Sequence, residues 1–500
     1  MDSDEFREAA KAAIDEIAEY YDNISSQRVV ADVQPGYLRP LLPASAPLDP
    51  EPMAAIRADV RDKILPGITH WASPRFMAFF PCSSSYPAAV AEMYSSAFNG
   101  AHFNWVCSPA VTELETVVLD WLAQALGLPD CFLSGGPTNG GGVIHGSASE
   151  AVLTVMVAAR DRYLDRAVAH LPEGDARDEE LWRRRSRLVA LGSAGTHSST
   201  RKAAQIIGVR FVAVPVAEEE GFALTGGALA ATLADLRARG LEPFYLTATV
   251  GSTDVCAVDD LEGVARALAA DAAPADAPAG DVWVHVDAAY AGTALLLEEN
   301  RHLAAPMAGF HSFNVNPHKW MLTTFDCSTL WVRDRALLVT SSLSVKPPYL
   351  RNQFSDAQLV TDYRDWQIPL GRRFRSLKLW FVLRAYGLRG LAAHVRRGVA
   401  LAERLEALLR RRPDLFAVFT PARFGLLTFR VAAARDADVN ARTEALYAKV
   451  NRDGEFFLTS TVINGKFAIR VCTGVERMRE EHVERLFEVL VKGVEGANEE

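Results

Sequence analysis

Val282-Trp283-Val284-His285-Val286-Asp287 is apolar at almost every place and closes on a single carboxylate. β-branched and aromatic residues dominate it, and it is too short for an ordinary helix, so it reads as a buried strand. Similar runs recur outward from it, at residues 187–191, 209–216, 244–250, 312–315 and 329–332. Helical patterns lie between them, over 228–239 and 261–270. Strands alternating with helices predict an α/β fold, with a mostly parallel sheet covered on both faces.

The flanks have a different character. Phe6, Ala9, Ala10, Ala13, Ile14, Ile17 and Tyr20 recur at helical spacing, and a second helix is expected over 51–64. Between them the proline-rich stretch 35–52 has little core of its own, so it is expected to lie across another surface. Beyond the sheet region, 376–411 is a long Leu/Ala/Arg helical pattern. Short strands at 425–431 and 466–471 and a closing helix from Glu480 follow it. The expected division is a helical segment over 1–85, a large α/β domain over 86–380 and a small α+β domain over 381–500. The charged stretch 173–185 and the Ala/Pro/Asp stretch 272–280 read as solvated insertions.

Composition removes several classes of function. The 500 residues are 49% hydrophobic and 23% charged, as in folded globular proteins. Fifty-three Lys and Arg face 62 Asp and Glu, for a net charge of −9, which disfavours a general nucleic-acid binder. Apolar runs such as 294–297 fall far short of the ~20 residues that span a bilayer, so no membrane association is expected. The acidic start Met1-Asp2-Ser3-Asp4-Glu5 lacks the features of a signal peptide, and a cytoplasmic location is expected. The six cysteines are scattered without a Cys-x-x-Cys pair, which argues against a disulfide framework or a metal site.

Four short motifs carry chemistry. Asn316-Pro317-His318-Lys319-Trp320 follows a strand and presents Lys319 at its carboxyl edge, where α/β proteins bind ligands. A lysine there can form an imine with an aldehyde cofactor. Asp287 ends its own strand, and two readings stand: a cap on the next helix, or a partner for a buried cation such as a pyridinium nitrogen. Gly140 to Glu150 leads into a helical run, with Ser147 and Glu150 at capping-box spacing. The free amides of Ala148 and Ser149 at such a helix start suit a phosphate. His197, in Thr196-His197-Ser198-Ser199, could lie flat on a cofactor ring. Thr253, in Thr249-Val250-Gly251-Ser252-Thr253 with Asp259 close behind, could reach a phosphate or simply close a turn. Phosphate cradle, imidazole, carboxylate and lysine occur in that order at successive strand ends.

These residues resemble the group II decarboxylases that use pyridoxal 5′-phosphate (PLP), specifically the aromatic-L-amino-acid decarboxylases. The likeness runs over nearly the whole chain. It includes Trp71-Ala72-Ser73-Pro74, Phe79-Phe80-Pro81, Ser84-Ser85-Tyr86-Pro87, residues 108–115 and residues 362–376. It implies PLP fold-type I, the aspartate-aminotransferase-like architecture, and an obligate homodimer with shared active sites, the N-terminal segment wrapping the partner. Carried over by motif, Lys319 bonds PLP and Asp287 pairs with its ring nitrogen. Ala289 and His197 cover the two ring faces, while Ala148, Ser149, Thr253, Asn316 and His318 complete the cofactor site. Trp71, Phe79, Phe80, Pro81, Cys82, Ala101 and Phe103 resemble the pocket for the aromatic side chain. Tyr349, in Pro347-Pro348-Tyr349-Leu350-Arg351, matches the proton donor of the mobile loop, a place commonly Phe in the related aldehyde synthases. The implied activity is decarboxylation of an aromatic L-amino acid to its amine and CO2. Gly371 and the small Ala101 leave room for a bicyclic ring and favour tryptophan, with 5-hydroxytryptophan, DOPA and tyrosine open. The alternatives are an aromatic aldehyde synthase and a tyrosine- or DOPA-preferring decarboxylase.

Overall fold

The structure is a computed structural model that describes residues 1–271, 282–339, 342–344, 347–433 and 435–496, without the side chains of 436 and 437. The expected insertion at 272–280 lies outside the described residues. The chain forms two compact units, Ser83–Arg397 and a second that joins Met1–Cys82 to Gly398–Glu500. The expected boundary after residue 380 falls within a helix, Arg375–Arg410, whose regular conformation is interrupted at Gly387.

The unit Ser83–Arg397 is built on seven strands: β1 Gly141–His145, β2 Leu188–Ser193, β3 Arg210–Val214, β4 Glu242–Thr249, β5 Trp283–Asp287, β6 Ser312–Val315 and β7 Ser328–Val332. Their order across the sheet is β1-β7-β6-β5-β4-β2-β3. Pairings from β3 through β2, β4 and β5 to β6 are parallel. β7 runs antiparallel to both β6 and β1, so β1 again points the same way as β6. The expected mostly parallel α/β sheet is therefore present. The carboxyl ends of β1, β2, β4, β5 and β6 share one edge, which places the loops that follow them together.

β1 is the strand of this unit that the sequence reading missed; the strands Phe416–Arg423 and Thr459–Ile463 of the other unit were missed as well. Gly140-Gly141-Gly142 carries no side-chain pattern and reads as a turn, yet all five residues of β1 are buried. A Cβ on Gly142 would come within 2.8 Å of the Trp331 indole nitrogen, so close packing against β7 needs a bare backbone here. The charged stretch 173–185 is mostly exposed, as expected of a solvated segment, but it is ordered. It forms the helix Asp175–Arg185, and Arg184 is buried, paired with Glu180 and Glu242. A guanidinium on a five-donor fork can be buried this way because two carboxylates meet it.

The core of this unit packs Val152, Val155 and Met156 of the helix Ala148–Ala167 with Tyr245, Trp283 and Leu330 of the sheet. Burying each such large side chain stabilises by about 2–3 kcal/mol. The other unit contains β8 Phe416–Arg423, β9 Leu426–Val431, β10 Thr459–Ile463 and β11 Lys466–Cys472, an antiparallel sheet in the order β10-β11-β9-β8. Leu427, Phe429 and Ile469 pack there with Leu486 and Leu490 of the helix Glu480–Gly496. Among the described residues no helix is long and apolar enough to cross a membrane, and no group of three metal-ligating side chains is present.

Candidate active site

Strand alternation decides which side chains reach the shared edge. Trp283, His285 and Asp287 project to one face of β5, while Val284 and Val286 project to the other. Ser312 and Asn314 are the β6 partners of His285 and Asp287. A buried polar chain results. The Trp283 indole donates to Ser312 Oγ (2.8 Å), and the His285 ring lies 2.8 Å from Ser312 Oγ and 2.9 Å from Asn314 Oδ1. Asn314 Oδ1 can only accept, so His285 carries its proton on Nε2 and takes the Ser312 hydroxyl proton on Nδ1. Burial pushes the His285 pKa down to about 4, so the ring is neutral. This ladder sits directly beneath Asp287, and the sequence reading did not single it out, although the alternation in 283–287 points to it.

Asp287 is buried, and its Oδ1 accepts the Ala289 amide (3.0 Å), so it caps the turn that follows β5. The Val250 amide donates to its carbonyl (2.9 Å) and ties β5 to the end of β4. His197 follows β2 and opens the helix Ser198–Ile206, with its Nδ1 accepting the Ser199 amide. Desolvation lowers the His197 pKa. The charge of Asp287 pulls it up and that of Lys319 pushes it down, so the imidazole senses both.

Lys319 lies in the short helix Pro317–Trp320 after β6. Its backbone is fixed from two sides: its amide donates to the Asn316 carbonyl (2.9 Å), and Ser83 Oγ donates to its own carbonyl (2.7 Å). Asn316 is buried, and its Oδ1 accepts from Ser328 Oγ (2.7 Å). The His318 ring, expected at the cofactor, is anchored to the neighbouring loop through one of its two nitrogens. Its Nδ1 accepts the Cys327 amide (2.8 Å), and burial holds its pKa at about 3.

Ala148 and Ser149 are the first two residues of their helix, so their amides have no acceptor within it. Ser147 Oγ accepts the Glu150 amide as expected, but the Glu150 carboxylate reaches the Gly146 amide (3.0 Å) rather than completing a capping box. The bare Gly146 permits this approach. A Cβ there would stand 3.0 Å from Asp326 Oδ2 and 3.4 Å from Glu150 Oε2. Thr253 is half-buried in the loop after β4. That loop is pinned by Asp259, whose carboxylate accepts the Thr249 amide (2.7 Å) and the Leu224 amide (2.8 Å). Asp259 is the residue of this region whose role was missed, since a partner at Leu224 cannot be read from local sequence.

The expected aromatic-pocket residues fall into two groups. Trp71, Phe79, Phe80, Pro81 and Cys82 belong to the unit that contains the N-terminal segment, where Trp71 stacks on Phe79 with ring centroids 5.7 Å apart. Ala101, Phe103 and Gly371 belong to the other. There the Arg372 amide donates to the Ala101 carbonyl and the Arg364 amide to the Phe103 carbonyl, so 101–103 runs alongside 364–372. Gly371 is exposed with open space around it, and Tyr349 is 78% exposed on the turn Pro348–Leu350.

These donors fit PLP. A lysine, a buried carboxylate for a cationic ring nitrogen, an imidazole that senses both, and unpaired helix amides for a phosphate meet at one sheet edge. Residues 35–432 match the pyridoxal-dependent decarboxylase conserved domain. The chain is 43% identical over 494 residues to tyrosine decarboxylase 2 of Narcissus pseudonarcissus, covering 98% of this chain and 94% of that protein. It is 42% identical to the aromatic-L-amino-acid decarboxylase of Cavia porcellus (98% and 97% covered) and 43% identical to the phenylacetaldehyde synthase of Arabidopsis thaliana (98% and 96%). The crystal structure of Oryza sativa TDC with PLP and tryptamine superposes with a TM-score of 0.92 at 38% identity, over 99% of each chain. The chain belongs to the pyridoxal-dependent decarboxylase family, with PLP as its cofactor and the fold-type I architecture, in its aromatic-L-amino-acid decarboxylase branch.

Proposed function

We propose that the protein decarboxylates aromatic L-amino acids to their amines and CO2, with tryptophan the favoured substrate, as a homodimer with shared active sites. The observation that carries the chemistry is the meeting of Lys319, Asp287 and His197 at one sheet edge, with His197 sensing the charge of both partners. PLP, when bound, supplies the electron sink for the pair released as the carboxylate leaves.

The chain's own groups do the rest. Lys319 holds the cofactor and releases product. Asp287 stabilises a proton on the ring nitrogen, and the neutral His285 ring beneath it adds no competing charge. Ala148 and Ser149 present amides to the phosphate, with Thr253 and Asn316 beside it. His197 covers one ring face and Ala289 the other. Tyr349 delivers a proton to the substrate Cα, and its exposed place on a turn suits a loop that closes over the site. A tyrosine here, where aldehyde synthases commonly carry Phe, supports the amine product over the aldehyde.

Gly371 and Ala101 support the preference for a bicyclic ring, since both are small and lie alongside each other. Their exposure, with that of Val90, Met93, Tyr94 and Phe98, supports a second copy of the chain covering this face. The proline-rich stretch and the exposed Phe6, Ile14 and Ile17 suit an N-terminal segment that wraps the partner. Competition of tryptophan, 5-hydroxytryptophan, tyrosine, DOPA and phenylalanine, with amines read by mass, tests the preference. Tryptamine is expected to lead. Tyramine or dopamine as the main product overturns the Gly371 argument and leaves the decarboxylase reading intact.

A further inference from the structure

Phe79 has a left-handed backbone, φ 49°. A bulky aromatic residue pays strain for that conformation and keeps it only where surroundings enforce it. The enforcing groups are identifiable. The Phe79 amide donates to Thr459 Oγ1 (3.2 Å) on β10, and Arg470 Nη1 on β11 donates to the Phe79 carbonyl. The same guanidinium nitrogen donates to Thr459 Oγ1 (3.3 Å), so the two braces are joined. The Arg470 guanidinium also lies over the Phe80 ring, 4.5 Å from its centroid. Arg470 is 3% exposed, whereas Phe79 is 47% exposed and stacks on Trp71. A buried cation is costly and its removal leaves acceptors unpaired, so its place under two consecutive aromatic residues calls for a reason.

We infer that Arg470 and Thr459 are positioning residues that set the Phe79–Phe80 wall of the aromatic-substrate pocket and so determine substrate preference from β10 and β11. The inference rests on the reading that Trp71, Phe79 and Phe80 contact the substrate ring. Thr459 and Arg470 hold the strained peptide from both ends. The planar fork of Arg470 adds the stack that orients Phe80, which an ammonium cannot reproduce. No charge of this brace enters the chemical step.

Steady-state kinetics of the PLP-loaded enzyme with tryptophan and with tyrosine tests this. Arg470→Lys and Thr459→Val are compared with wild type, with cofactor absorbance and thermal melting as controls of loading and folding. The expected result is a rise in KM of about ten-fold for Arg470→Lys and about three-fold for Thr459→Val, with kcat within about two-fold, since misplaced pocket walls act on binding. The tryptophan-to-tyrosine ratio of kcat/KM is expected to change by at least about five-fold in Arg470→Lys. Equal loss of kcat for both substrates at unchanged KM and ratio, or no change in folded Thr459→Val and Arg470→Lys, overturns the inference. Phe80→Ala separates the two levels. An unchanged substrate ratio in that variant means that the pocket reading itself fails. A shifted ratio in Phe80→Ala alone, with the Arg470 and Thr459 variants at wild-type values, sinks only the brace.

Discussion

Three imidazoles of the sheet unit are held neutral by burial: His285 near pKa 4, His311 near 3 and His318 near 3. Each binds a proton in the unfolded chain below its ordinary pKa of 6.5, so the stability it contributes is present above that value and is lost as pH falls. Asp259 acts in the opposite sense. Its pKa is raised to about 7 by burial, so its contribution is lost as pH rises through that value. Between about pH 4 and 6.5 the imidazoles outweigh the carboxyl, leaving at most about two protons taken up on unfolding and a loss of up to about 3 kcal/mol per pH unit on acidification. Urea midpoints at pH 7, 6 and 5 are expected to fall in that order. A flat series would mean that these rings are already protonated in the folded protein.

At the scale of elements, the carboxyl end of β4 depends on Asp259, which satisfies two buried amides from separate segments. Asp259→Ala leaves both unpaired and is expected to cost about 2–4 kcal/mol in urea unfolding and to weaken PLP retention by loosening the Thr253 loop. Loss of stability under 1 kcal/mol would show that the loop is held elsewhere. The same scale shows what a sequence can and cannot reveal. The strand runs from 187 to 332 were legible because their side chains alternate or are uniformly apolar, and the places of Lys319, Asp287 and His197 at the sheet edge were legible because each sits at or beyond the end of such a run. β1 was not, because glycine writes no pattern. The braces at Asp259 and Arg470 were not legible either. Each depends on a partner brought close only by folding, with Arg470 and Phe79 separated by 391 residues. His318 was assigned by its place beside Lys319, and its bond to the Cys327 amide was not legible there.

At the scale of the whole molecule, helix Tyr86–Ala97 leaves Val90, Met93 and Tyr94 exposed, and Gly371 faces open space. Light scattering is expected to give about twice the 54.6 kDa chain mass at micromolar concentration. A monomer that turns over normally would remove the shared active site. Under the proposed function, Tyr349 protonates Cα and the product is the amine. The most direct test follows amine, CO2 and hydrogen peroxide together as the holoenzyme consumes tryptophan under air. Tryptamine and CO2 are expected in equal amounts with no peroxide. Indole acetaldehyde with stoichiometric peroxide would contradict that expectation.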